Sequence, residues 1–100
     1  MADNKPVCIF LDRFSIDRGD MDFSAIEAAT EFSSFDRCAG SEIVARAQHA
    51  QIIITNKVKL GREHFAHLPE LKLVCVIATG TNHIDFVAAA QYGVEVCNVK

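Results

Sequence analysis

The sequence lacks the features that would place it in a membrane or in the secretory pathway. Among its 100 residues, no apolar run approaches the roughly 20 residues that a bilayer-spanning helix needs. The N-terminus has no signal-peptide pattern, because the apolar run after Lys5 is short and is broken by Asp12 and Arg13. We therefore expect a cytoplasmic protein with no membrane partner.

The sequence also lacks a large excess of charge of either sign. The net charge is −3, and the Lys and Arg residues are scattered rather than clustered. Binding to nucleic acid or to an anionic membrane surface needs concentrated positive charge, so we expect neither partner. Half of the residues are hydrophobic, which argues against disorder. With no internal repeat or linker, residues 1–100 are predicted to form one domain.

No CxxC motif is present, and the spacing of the four cysteines matches no zinc or redox motif. Cys8, Cys75 and Cys97 lie in apolar strand patterns, so we interpret them as small buried hydrophobic residues in a reducing cytosol. His64 and His67 are three residues apart on a short predicted helix, but no further ligands lie nearby in the sequence. We therefore predict no metal site.

The most informative stretch, residues 73–99, has the pattern of one strand–loop–helix–strand unit. Leu73 to Ile77 is almost wholly apolar, as expected for a strand that is covered on both faces. A helix is predicted from Ile84 to Tyr92, with Asp85 as its N-cap and Gly93 ending it in a left-handed conformation. Val94 to Val99 is the next predicted strand. Such a unit crosses right-handed, and its ligands bind at the carboxyl ends of strands.

The rest of the chain also alternates predicted strands and helices. The predicted strands are Val7–Leu11, Glu31–Asp36 and Gln51–Thr55; the predicted helices are Ser24–Thr30, Glu42–His49 and Gly61–His67. We expect a capping box at Ser24 and an N-cap at Ser41. The second strand is expected at a sheet edge. This order predicts an α/β, flavodoxin-like, doubly wound parallel sheet of five strands in the order 2-1-3-4-5.

The carboxyl ends of those strands define one rim, where we expect any site to lie. It carries Asp12-Arg13, Thr55-Asn56-Lys57, Ala78-Thr79-Gly80 and Val99-Lys100. The backbone N–H groups of Thr79 and Gly80 can form a nest for an anion, although Gly80 can equally serve only to turn the chain. Lys57 can attract an anion or be a solvated loop residue. Arg13 can also attract an anion, but the case for it is weaker.

Four segments resemble the D-2-hydroxyacid dehydrogenases, and the glycerate dehydrogenase/hydroxypyruvate reductase branch most. They are LDR (Leu11 to Arg13), FDR (Phe35 to Arg37), ITNKVKL (Ile54 to Leu60) and LKLVCVIATGTNHIDFVAAAQYGVEVCNV (Leu71 to Val99). The resemblance covers nearly the whole chain and is strongest from Ile52 to Val99. The sequence departs from the common family pattern at His83, where Asn is frequent, and at Gly61, where a hydroxyl-bearing residue is frequent.

The resemblance implies that this chain is the first part of a substrate-binding domain, truncated before a Rossmann domain. It places the carboxylate of a small 2-keto or 2-hydroxy acid on the loop Ala78-Thr79-Gly80, with Asn56 and Lys57 on the same rim. It also places Thr79 beside the nicotinamide of NAD or NADP. The family's catalytic residues lie in the later part, and no GxGxxG motif occurs here. We therefore expect the chain to be inactive alone, to bind no cofactor, and to be monomeric or weakly self-associating.

A second functional class shares this fold, namely the receiver domains of signalling proteins. Asp12, Thr79 and Lys100 stand at about the positions that a receiver needs. However, the third strand ends in Thr55-Asn56, so the phosphate-accepting Asp is missing.

Two other histidines have simple interpretations. His49 ends a helix, where the dipole favours a cation. His83, beside Thr79-Gly80, is interpreted as structural, because the family's catalytic His lies elsewhere.

Overall fold

Five short parallel strands form the central sheet of this protein. The computed structural model describes residues 5–12, 24–35, 37–77 and 83–98. The strands lie in the order β2-β1-β3-β4-β5, with every neighbouring pair parallel. This is the predicted doubly wound α/β order, and it confirms that β2 is an edge strand. None of the helices in the described part of the chain has the length and apolar character needed to cross a bilayer.

The observed elements are the predicted ones, with shorter bounds. In chain order they are β1 (Val7–Phe10), α1 (Ser24–Ala29), β2 (Glu31–Ser34), α2 (Ile43–Ala47), β3 (Ile52–Thr55), α3 (Arg62–Phe65), β4 (Leu73–Val76), α4 (Phe86–Gln91) and β5 (Glu95–Asn98). Helix α1 begins at Ser24 as predicted, and the residue before it lies outside the described part. Asp36, the predicted end of β2, is also outside it.

One face of the sheet carries most of the core. Strand residues such as Ile53, Val74 and Val76 pack there against Ile43 of α2 and Phe65 of α3, and all five are almost fully buried. Ala88 and Ala89 of α4 join the same cluster. Because their side chains are small, the helix can approach the strands closely.

The opposite face has a smaller cluster. Cys8, Phe10 and Ile54 are buried there, with Ile26 of α1 packed against them. Cys75 and Ile77 of the β4 segment lie on the same face and are only half-buried. Of the helices in the described ranges, α1 alone contributes to this cluster. The β4–β5 side of this face is therefore the less covered one.

The prediction that three cysteines are buried is correct for Cys8 and wrong for Cys97. Cys8 is fully buried on the central strand β1, whereas Cys97 is exposed and Cys75 is half-buried. The reason is the position of β5, an edge strand with no neighbour on its far side among the described strands. Its centre, Val96-Cys97, is apolar like that of a core strand, but three of its four residues are exposed. All four cysteines are free thiols.

The ends of α4 are as predicted, and the start of α2 is not. The Asp85 carboxylate accepts a hydrogen bond from the Ala88 N–H at 3.0 Å, and Gly93 has a φ of 73°. Helix α2 follows a 3₁₀ turn, Gly40–Glu42, so the predicted cap Ser41 lies inside that turn. There Glu42 accepts from the Ala39 N–H at 2.9 Å, which stabilises the turn in place of a Ser cap.

Gly93 should tolerate substitution less well than Gly40, although a Cβ at either position would meet open space. Gly93 has a positive φ, which costs an L-residue roughly 1–2 kcal/mol, so Gly93→Ala should lower the free energy of unfolding by about 1 kcal/mol. Gly40→Ala, without that strain, should be neutral or stabilising by up to about 1 kcal/mol. Urea unfolding of the two variants measures the difference. Equal effects would show that the backbone at Gly93 does not need its left-handed conformation.

Candidate functional site

The carboxyl ends of β1, β3 and β4 meet at one edge of the sheet. The Leu11 N–H donates to the Ile54 carbonyl at 3.0 Å, and the Ile77 N–H donates to the Thr55 carbonyl at 2.9 Å. These bonds extend the sheet one residue beyond the ends of β1 and β4. The ends of the three strands therefore lie side by side, as expected where a parallel sheet binds its ligand.

Asp12 organises this edge. Its carboxylate is buried, with 6% of the residue exposed, and it accepts hydrogen bonds from two consecutive backbone N–H groups. Oδ1 lies 2.9 Å from the Asn56 nitrogen, and Oδ2 lies 2.7 Å from the Lys57 nitrogen. Charge-assisted bonds of this length offset the cost of burying a carboxylate. Asp12 thereby fixes the turn that follows β3, which we call the β3 loop (residues 56–60).

Thr55 completes the same arrangement. Its side chain is fully buried, and its hydroxyl lies 3.4 Å from Oδ1 of Asp12 while accepting from the Val58 N–H at 3.1 Å. The hydroxyl therefore joins the carboxylate to the loop backbone. In this way the first turn of the β3 loop is held from two sides.

The Asp12 bonds determine how Asn56 and Lys57, two predicted site residues, can act. Their backbone N–H groups already donate to Asp12, so these amides are not available to a substrate carboxylate. The Lys57 side chain is exposed at the rim, whereas Asn56 is buried. Either residue would therefore contribute to substrate binding through its side chain, and of the two side chains only that of Lys57 is exposed to solvent.

Strand β3 and the β3 loop also hold the two chain segments on either side of residues 78–82. On one side is the Ile77 bond to Thr55 described above. On the other side, the Leu60 N–H donates to the His83 carbonyl and the Asp85 N–H donates to the Leu60 carbonyl, both at 3.0 Å. Leu60 and Ile84 form an isolated parallel bridge there. One flank of residues 78–82 is thus attached to the end of β3 and the other to the β3 loop, both at the carboxyl edge.

The predicted substrate loop itself, Ala78-Thr79-Gly80, lies outside the described residues, and so does Arg13. Its roles in binding a carboxylate and in facing a nicotinamide stay predictions. Of the five predicted site residues, the structure therefore describes Asn56 and Lys57, and it places both at the expected edge.

The histidines have local structural roles. Nδ1 of His64 accepts from the Gly61 N–H at 3.0 Å, which caps α3, and His67 is exposed. His49 lies 3.1 Å from the Glu70 carboxylate at the surface, a contact that its place at a helix end did not predict. Nowhere in the described ranges do three His, Cys, Asp or Glu side chains form a group that would hold a metal ion.

His83 is the histidine nearest to the predicted loop in sequence. Its Nε2 is shielded from solvent and has no hydrogen-bond partner among the described residues. A general acid or base needs a group that positions its proton, and no described residue supplies one. The backbone of His83 does have a clear role, because its carbonyl binds Leu60.

Sequence reasoning placed Asp12 on the rim without recognising its role. The partners of Asp12 are 43 to 45 positions away along the chain, so no local pattern reveals them. The sequence signal that could have revealed this role is an acidic residue directly after a buried strand in a parallel α/β pattern. Such a residue faces the backbone of the neighbouring strand's loop, which offers N–H donors.

Comparison with known proteins identifies a family. Residues 9–100 match the model of the D-isomer specific 2-hydroxyacid dehydrogenases, catalytic domain. The chain is 38% identical over 92 residues to a glycerate dehydrogenase of Methylorubrum extorquens, covering 92% of this chain and 29% of that protein. It is 34% identical over 94 residues to a hydroxypyruvate reductase of Blautia hydrogenotrophica, covering 91% of this chain and 29% of that protein. The chain therefore spans less than a third of these relatives.

A solved structure shows the same fold at lower sequence identity. The NAD-dependent formate dehydrogenase from Staphylococcus aureus, in complex with NAD, superposes with a TM-score of 0.73 at 19% identity. The match covers 94% of this chain and 31% of that one. The receiver alternative gains no support, because the family match is to dehydrogenases and β3 is followed by Asn56 rather than an acceptor Asp.

Proposed function

Because the chain belongs to the D-isomer specific 2-hydroxyacid dehydrogenases, we propose that it is the substrate-binding segment of an NAD- or NADP-dependent enzyme. The proposed reaction interconverts small 2-keto and 2-hydroxy acids, with hydroxypyruvate and glycerate as the first candidates. The observation that carries the proposal is that one flank of residues 78–82 is hydrogen-bonded to the end of β3 and the other to the β3 loop. It gives this carboxyl edge the rigidity that a binding site needs.

The proposed role of residues 78–80 is to hold the substrate carboxylate. Small side chains at Ala78 and Gly80 allow a ligand to approach the backbone closely, and N–H groups of Thr79 and Gly80 would donate to the carboxylate. The Lys57 side chain, exposed at the same edge, would add a positive charge. Asp12 acts indirectly, because it fixes the loop that carries Lys57.

The cofactor is proposed to bind mainly to a separate dinucleotide-binding domain. The five glycines of this chain are isolated at positions 19, 40, 61, 80 and 93, so no Gly-rich phosphate-binding loop is present. The residues of this chain therefore do not fit a complete NAD(P) site. When bound, the cofactor would supply the hydride, and Thr79 is the residue proposed to face its nicotinamide. The chain's own contribution is to bind and orient the keto acid.

The proposal predicts that the chain alone is inactive. Hydride transfer needs a cofactor site and an acid–base group, and neither is identified in these residues. The purified chain should give no oxidation of NADH or NADPH above background with hydroxypyruvate or glyoxylate. The control is the parent enzyme, by which we mean the longer dehydrogenase that would contain this segment and the cofactor domain, assayed at equal molarity.

Assays of the chain alone and of the parent enzyme distinguish the possible outcomes. Activity in the parent enzyme and none in the chain supports the assignment of this segment to substrate binding. Turnover by the chain itself would contradict it. A parent enzyme that reduces no 2-keto acid under the same conditions would contradict the proposed reaction.

A further inference from the structure

Two thiols face each other across the β4–β5 strand pair. Cys75 and Cys97 are direct partners in the register, and their sulfur atoms are 3.3 Å apart. Neighbouring strands lie about 4.8 Å apart, which is within the Cα separation of roughly 4.4–6.8 Å found in disulfides. Small side-chain rotations therefore suffice to bring the two sulfurs to bonding distance.

The two thiols differ in their access to solvent. Cys97 is exposed on the edge strand, and Cys75 is half-buried beside it. Burial, followed by the hydrogen bond with Cys97, raises the pKa of Cys75 to about 12, so Cys75 is a neutral thiol near pH 7. Cys97 is therefore the thiol that a reagent in solution meets first.

The other two cysteines are poorer candidates for oxidation. Cys8 is fully buried, and burial raises the pKa of its thiol to about 11. Cys38 packs against the main core cluster. That cluster includes residues on one face of the sheet, whereas Cys8 lies on the opposite face. Cys97 thus has one thiol partner in direct contact among the described cysteines.

We propose that Cys75 and Cys97 are a disulfide-forming pair that reacts with low-molecular-weight disulfides such as oxidised glutathione. The Cys97 sulfur, after losing its proton to solvent, attacks one sulfur of the reagent and releases the first reduced thiol. Cys75 then loses its proton and attacks the Cys97 sulfur, which releases the second. The pair loses two protons and two electrons, and the S–S bond of the reagent is reduced to two thiols.

The bond would close a ring that runs from Cys75 to Cys97. This ring contains residues 78–80 and the whole of α4. Oxidation would therefore tie together both ends of the strand–helix–strand unit, independently of whether residues 78–80 bind a substrate. The reaction is reversible by an excess of reduced thiol.

The test uses the 100-residue chain with mixtures of oxidised and reduced glutathione, followed by acid quenching and alkylation with iodoacetamide. Trypsin cuts after Lys72, and residues 73–99 contain no Lys or Arg, so both cysteines fall in the peptide 73–100, whereas Cys8 and Cys38 fall in others. Chymotrypsin cleavage after Phe86 then separates the two halves unless a disulfide joins them. Cys38→Ser is the matched control that leaves the pair intact, and Cys97→Ser removes its exposed member.

The expected product is peptide 73–100 that is lighter by two hydrogens, carries no alkyl group and stays joined after chymotrypsin. Cys38→Ser should give the same product and Cys97→Ser none. Three results would overturn the proposal: alkylation of both cysteines at every glutathione ratio, stable glutathione attached to Cys97 beside a free Cys75, or a disulfide from Cys75 to Cys8. Circular dichroism of Cys97→Ser confirms that the exposed substitution leaves the fold intact.

Discussion

Asp12→Ala should lower the free energy of unfolding by roughly 3 kcal/mol, since each hydrogen bond to a charged group contributes about 1.5–3 kcal/mol. The substitution removes the acceptor of the Asn56 and Lys57 N–H groups and leaves both without it. A loss of this size is a large fraction of the roughly 5–15 kcal/mol that stabilises a typical domain. Urea unfolding followed by circular dichroism measures it.

Two further substitutions make the Asp12 prediction specific. Asp12→Asn keeps one carbonyl acceptor, so it should lose about half as much stability as Asp12→Ala. Asp85→Ala removes another carboxylate, but one that only caps α4, and should cost about 1 kcal/mol. If Asp12→Ala and Asp85→Ala cost the same, the two Asp12 hydrogen bonds would stabilise the fold no more than a single helix cap does, and other contacts would have to fix the β3 loop.

Gly80→Val should reduce kcat/KM of the parent enzyme by roughly a hundredfold or more, given about 1.5–3 kcal/mol for each lost bond to a carboxylate. A β-branched side chain blocks close approach to the backbone and resists a positive φ. The loss should appear mainly as a higher KM for hydroxypyruvate. The Kd for NADH or NADPH should stay within about twofold of that of the unsubstituted enzyme, a difference well below 1 kcal/mol.

Gly40→Val is the control for the Gly80 prediction. Its Cβ would meet open space, and Gly40 has no positive φ, so the kinetic constants should be those of the unchanged enzyme. An unchanged KM for Gly80→Val would mean that the substrate carboxylate binds elsewhere. Loss of cofactor affinity together with activity would instead indicate that the substitution disturbs the fold.

The sequence allowed the fold to be predicted well, because its strongest signals are local. The apolar strands, the Asp85 cap and Gly93 are each recognisable within a few residues of sequence, and together they dictate the alternation that gives a doubly wound sheet. Element ends were less predictable. The 3₁₀ turn before α2 depends on the Glu42 bond to Ala39, which competes with the expected Ser41 cap.

The features that sequence reasoning missed depend on distant parts of the chain. Cys97 lies in an apolar strand pattern, but its exposure is set by the edge position of β5. Asp12 reaches N–H groups 44 and 45 positions away, a pairing that only the sheet order creates. The candidate rim could be predicted because parallel strands place their carboxyl ends together, whereas the group that makes it rigid could not.

The most direct test of a carboxylate site at residues 78–80 is a titration of the ¹⁵N-labelled chain with hydroxypyruvate, followed by amide chemical shifts. Shifts should centre on residues 78–81, with smaller ones at Asn56 and Lys57, and fit a Kd no tighter than about 1 mM, or roughly −4 kcal/mol. Sodium chloride at equal ionic strength controls for screening, and the Gly80→Val chain should lose the response. Shifts that cluster at His64 and His67, or that persist unchanged in Gly80→Val, would contradict the assignment of the site to this loop.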